Sequence, residues 1–184
     1  MSDNTLVAQV FLQESIRAFE NMKKLADKAF AQTEDAHFYL TLDEESNSLE
    51  LLIKHMHGNM LSRWTDFLTT DGEKETRQRD GEFESSQYTR EELISLWEEG
   101  WKVLFDTLHA LTPDDVLRTV QIRGEGHSVL QAIQRQVSHY GYHVGQIVLL
   151  SEHWANHHWE TLSIARGQSK AFKPSGVPLS SNLN

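Results

Sequence analysis

The chain contains no cysteine. Disulfides, thiolate zinc sites and cysteine nucleophiles are therefore excluded. Positive charge is also scarce: 17 lysines and arginines face 27 aspartates and glutamates, a formal net charge of −10. Nucleic acid and anionic membrane surfaces are recognised by basic faces, so neither is the expected main partner. Long apolar runs are missing. None approaches the roughly 18 residues of a membrane-spanning helix. Residues 1–30 are amphipathic and charged, unlike a signal peptide, so a cytoplasmic protein is the expectation. No Gly-x-Ser-x-Gly elbow occurs, which leaves Ser/His/Asp catalysis without local support.

What the chain does have is histidine, ten of them, together with five Trp and eight Phe. Its 184 residues suit one domain with a substantial core. That domain is expected over residues 1–166. Residues 167–184, rich in Gly and Ser and holding all but one of the three prolines, are expected to form an irregular tail.

Four long segments carry a helical apolar period. The first spans 5–32, with Leu12, Ile16, Phe19, Met22, Ala26 and Phe30 as its stripe. The second follows cap candidates Ser46-Asn47-Ser48 and runs to about Leu68; Asn47 with Glu50 resembles a capping box. Thr89 with Glu92 is a second such box, opening a helix that turns Leu93, Trp97, Trp101, Leu104 and Leu108 inward. The fourth runs from Ser128 to about His153. Thr112-Pro113-Asp114-Asp115 predicts a short helix, Thr119–Arg123 a brief extended segment, and Gly124-Glu125-Gly126 a turn. Trp154–Arg166 has room for one helical turn. Residues 71–88 are polar and aperiodic, a long loop that is either functional or mobile. The fold class expected is all-α, a four-helix bundle with short extra helical turns.

The fourth helix carries the clearest chemical signal. His139 and His143 are four residues apart, so both rings share one helix face and can hold one metal ion. They lie on one flank of the apolar stripe, and Gly141 and Gly145 on the other, where a neighbouring helix can approach closely. Tyr140 follows the first histidine where a metalloprotease would need Glu. A pair alone is a weak signal, and a three-ligand site needs a donor from another helix. His55 and His57 on the second helix are the candidates, and spacing slightly favours His57, which lies nearer the apolar stripe. His153 and His157 form another pair at that spacing, but where the helical pattern fades. Asn59 and Gln146 read equally as groups that orient ligands, bind substrate or complete a shell and as ordinary polar residues on helix flanks. Trp64, Trp97 and Trp101 read as core.

Several stretches together resemble one family. They are Lys54-His55-Met56 with Gly58-Asn59-Met60, Ser62-Arg63-Trp64-Thr65-Asp66-Phe67-Leu68 with Asp71-Gly72-Glu73-Lys74, Tyr142-His143-Val144-Gly145-Gln146-Ile147, and Leu162-Ser163-Ile164 with Arg166-Gly167-Gln168-Ser169. They are similar to an uncharacterised bacterial branch of the DinB/YfiT-like superfamily. Ala165 stands where that branch often has proline. The resemblance implies a four-helix bundle, a metal site of three histidines and frequent homodimers. It carries the ligand roles to His55, His139 and His143, against the spacing preference for His57. The implied cofactor is a divalent ion: zinc, nickel or iron. The implied activity is that of a metal-dependent thiol S-transferase or hydrolase acting on a small-molecule thiol or another small substrate. The rival reading is a non-catalytic, stress-related bundle whose ion is structural.

Overall fold

Helix α1 covers Asp3–Phe30, α2 Leu49–Trp64, α3 Arg90–Ala110 and α4 Val129–Ala155. The computed structural model describes residues 3–171. Short 3-10 turns lie at Asp35–Tyr39, Asp80–Phe83, Pro113–Asp115 and Asn156–His158. The expected tail is described as far as residue 171, as turns; its remainder lies outside the described residues. The all-α four-helix architecture expected from the periodicity is present, with one small sheet added.

Local chemistry sets the helix ends. Thr89 and Glu92 exchange side-chain and backbone bonds as a capping box for α3, and Ser128 with Gln131 does the same for α4. The box expected at Asn47 and Glu50 does not form. Ser48 is the cap of α2, and Glu50 is buried and accepts from Ser86 N–H and hydroxyl at 2.6 Å each. Helix α2 also stops at Trp64 instead of Leu68, because Asp66 takes a φ of 49° and breaks the helical run.

The helices run in two parallel pairs. Contacts of α2 and α3 advance together, His57 with Glu99 and then Trp64 with Thr107. Those of α1 and α4 do likewise, from Phe19 with Tyr140 to Gln32 with Glu160 beyond the helix ends. Parallel neighbours need a long return, and residues 65–89 supply it between α2 and α3. That connection is pinned. Ser62 Oγ donates to Gly72 O and accepts from Lys74 N–H. The Asp71 carboxylate accepts from Arg123 N–H at 2.9 Å and Gly124 N–H at 2.7 Å.

Arg123 and Gly124 form the turn of a hairpin, β1 (Thr119–Ile122) against β2 (Glu125–Ser128), paired antiparallel with Ile122 opposite Glu125. Their φ values of 55° and 74° are those of a two-residue primed turn. The second strand was not apparent from the sequence, whose Gly124-Glu125-Gly126 suggests only a turn.

Buried side chains of all four helices form one cluster. Trp64, Trp97 and Trp101 are within it, as expected, with Phe19 edge-on to Trp64 and Trp101. Tyr140 is its polar hub. Its hydroxyl donates to Asn59 Oδ1 at 2.9 Å and accepts from Trp64 Nε1 at 3.1 Å, joining α4 to α2. Removing that oxygen leaves a buried donor and a buried acceptor without their partner. Tyr140→Phe is therefore expected to destabilise the chain by about 1–3 kcal/mol, read as a lower midpoint in urea with an unchanged slope.

Candidate metal centre

His55 projects from α2, and His139 and His143 from α4. Their ligand atoms all lie within 4.8 Å of one another. His139 Nε2 stands 3.3 Å from His55 Nε2 and 3.0 Å from His143 Nε2. Imidazoles on a common divalent ion at about 2.1 Å would lie about 3.4 Å apart in a tetrahedral shell and about 3.0 Å apart along an octahedral edge. The two separations from His139 Nε2 fall within this range. Among the described residues, this is the one group of three histidine or acidic side chains with metal-holding geometry.

The opposite ring nitrogens determine the protonation. His55 Nδ1 is 2.9 Å from the Glu82 carboxylate, which only accepts. His139 Nδ1 faces Gln136 Oε1 at 3.2 Å, and His143 Nδ1 faces Gln146 Oε1 at 2.8 Å. Each Nδ1 therefore donates to the acceptor behind it, and each ring turns its Nε2 toward the other two. Lone pairs at this distance do not bond to one another; a cation satisfies all three. Burial, then the charges of His143, His55, Arg77 and Arg63, push His139 down to about 3. Burial pushes His143 down to about 4, against the raising pull of Gln146 and with His55 lowering it further. Both rings are thus neutral at pH 7.

Glu82 reaches the site from the loop. It is 8% exposed and also accepts from Arg77 Nε at 2.7 Å and Nη2 at 2.8 Å. Burial alone would raise its pKa, but bonds to His55 and Arg77 hold it below the usual carboxylate range. The carboxylate packs on Gly58, one turn along α2 from His55. A Cβ there would stand 2.2 Å from Glu82 Oε1, so glycine is what admits it.

His57, favoured by spacing, does not join the cluster. It is 2.8 Å from Glu99 on α3 and lines a cavity of about 610 Å³ that contains none of the three convergent histidines. Those three open instead into a smaller cavity of about 410 Å³ on the other side of Arg77. The chemistry favours the smaller one. Gln146 orients a ring from its far side, whereas Asn59 is engaged by Tyr140. His153 and His157 are not on one helix, since Asn156 with a φ of 51° ends α4 between them. Among the described residues, a Cβ added at Gly145 would meet no atom within 4 Å, so the bundle does not use this glycine for close packing; one at Gly141 would meet only the Met22 methyl, at 3.6 Å. Glu82, Arg77 and Gln136 were missed by sequence reasoning. Only Gln136 carried a signal, three residues before His139 on its helix.

The model of a family described as protein of unknown function (DUF1572) matches residues 6–168. No curated protein and no solved structure matches the chain. No described helix is long and apolar enough to cross a membrane.

The depressed histidines make stability depend on pH. Above about 6.5, the ordinary histidine pKa, both rings are neutral whether the chain is folded or unfolded. Below it the unfolded chain takes up protons that folded His139 and His143 refuse until about 3 and 4. Metal-free protein is therefore expected to lose stability as pH falls from about 6.5 to about 3. His139→Gln with His143→Gln should flatten that fall in a series of thermal melts.

Proposed function

The chain belongs to the DUF1572 family of proteins of unknown function, and we propose that it is a divalent-metal protein whose ligands are His55, His139 and His143. One observation carries this reading: three Nε2 atoms meet while every Nδ1 is engaged from behind. Imidazole suits zinc, nickel and iron alike, so the donor set does not choose between them. Two parallel helix pairs, with one histidine on the second helix and two on the last, support the DinB/YfiT-like relationship.

An enzyme is the better reading of two. A bound ion would supply a Lewis acid able to lower the pKa of water or of a substrate thiol. The chain's own residues prepare such a site. Glu82, Gln136 and Gln146 fix the three rings, burial keeps His139 and His143 unprotonated, and the cavity gives a small molecule access. A purely structural ion would need no cavity. Transfer to a small thiol, or hydrolysis, is the proposed chemistry. The proposed assembly is a homodimer through the outer face of α4, where Tyr142 is 64% and Leu149 59% exposed and Gly145 is uncovered; light scattering that gives a monomer across micromolar concentrations would remove it.

Elemental analysis is expected to find about one divalent ion per chain. His55→Ala, His139→Ala and His143→Ala should each lose most of it, and His57→Ala should keep it. Glu82→Gln should weaken metal affinity about 10–100-fold without abolishing binding. In the cobalt-substituted protein a small thiol should change the visible spectrum. An unchanged spectrum with metal still bound would return the ion to a structural role.

A further inference from the structure

The wall of the histidine cavity has an unusual charge for this chain. Five arginines line it, Arg63, Arg77, Arg79, Arg123 and Arg135, with no aspartate, glutamate or lysine among the lining residues. The chain as a whole carries ten more acidic than basic side chains. Positive charge has been concentrated where the histidines open.

Little of that charge is cancelled. Glu82 neutralises Arg77 through both of its oxygens. Glu73 is shared: it lies 3.4 Å from Arg77, 3.4 Å from Arg123 and 3.8 Å from Arg63. Arg79 and Arg135 have no carboxylate within ion-pair reach among the described residues; Arg79 instead lies over the Phe83 ring. Five guanidiniums thus face two carboxylates, and His139 and His143 add no negative charge.

Arg63 is the most demanding member. It is 3% exposed, and its Nε and Nη1 have no hydrogen-bond acceptor among the described residues. Gly72 lies against it so closely that a Cβ would stand 2.6 Å from Nη1. A buried guanidinium with unused donors is costly to keep. An anion in the cavity offsets the charge of that buried group, and the planar guanidinium fork matches the oxygens of phosphate and carboxylate.

We propose that this cavity recognises a small polyanion, carrying phosphate or carboxylate groups, and places it against the three histidines. Arg63 supplies the deep contact; Arg79 and Arg135 supply the outer ones. The volume of about 410 Å³ suits a metabolite-sized molecule rather than a polymer. The proposal deepens the metal reading by giving its substrate a class, and rests on that reading only for the role of the histidines.

Calorimetry on the full chain tests it, with glycerol 3-phosphate, succinate and neutral glycerol as probes, for both metal-free and metal-loaded protein. At least one anion should bind, more weakly as salt is added, while glycerol should not. Binding of the phosphate alone assigns a phosphate ester, and binding of succinate alone a carboxylate; either supports the proposal. Arg79→Gln and Arg135→Gln, both exposed and free of ion pairs, should each weaken binding about tenfold, with metal content unchanged. Arg63→Met should weaken it further, but the two exposed variants decide the matter if that one fails to fold. Equal binding by wild type and the Arg79→Gln, Arg135→Gln double variant overturns the proposal, as does no anion binding in either metal state. Anion binding by a protein that takes up no metal supports the arginine site and overturns the metal reading instead.

Discussion

One buried carboxylate holds the site together. Glu82 accepts from His55 and, twice, from Arg77, and it fits only because Gly58 has no side chain. It fixes the His55 tautomer, so that the lone pair faces His139 and His143. It also ties the connection between α2 and α3 to the helix beneath. Without that tie His55 would be free to rotate, and the loop carrying Arg77, Arg79 and Phe83 would lose its anchor beside the cavity.

Two electrostatic demands meet across a few ångströms. Three imidazoles turn ring nitrogens to a common point, an arrangement that suits a cation. The arginines above them present positive charge, which an anion satisfies. A cation and an anion that coordinate one another answer both demands at once. The same arrangement limits the fold: low pKa values at His139 and His143 keep further positive charge off a wall already crowded with guanidiniums.

Much of this was legible in the sequence, and the exceptions have physical causes. Helices α1, α3 and α4 have one buried face each, so their stripes located them, and the Thr89–Glu92 box marked a helix start. Helix α2 is different. Leu49, Leu52, Ile53, Met56, Met60, Ser62, Arg63 and Trp64 are all buried, which is most of its circumference. A helix covered nearly all round has no sharp stripe, so periodicity could not tell His55 from His57; family resemblance pointed to His55, the one that meets the other two. Glu82 and Arg77 lie in an aperiodic loop, where no spacing rule applies. The hairpin was half seen because β2 reads Glu-Gly-His-Ser, with little strand propensity; its register comes from the Arg123–Gly124 turn and the Asp71 bonds to it.

The division of labour between helices and loop also bears on how such a protein can diversify. The nitrogen donors sit on α2 and α4, held by core packing that tolerates little change. Arg77, Arg79 and Phe83 on the cavity wall belong instead to the long connection, where sequence change costs the core little. Position 82 is the exception, a single stitch between the two layers. Exchanging the rest of that segment would reshape the cavity wall while the three histidines stay in place, so wall and histidine cluster are able to evolve on separate schedules.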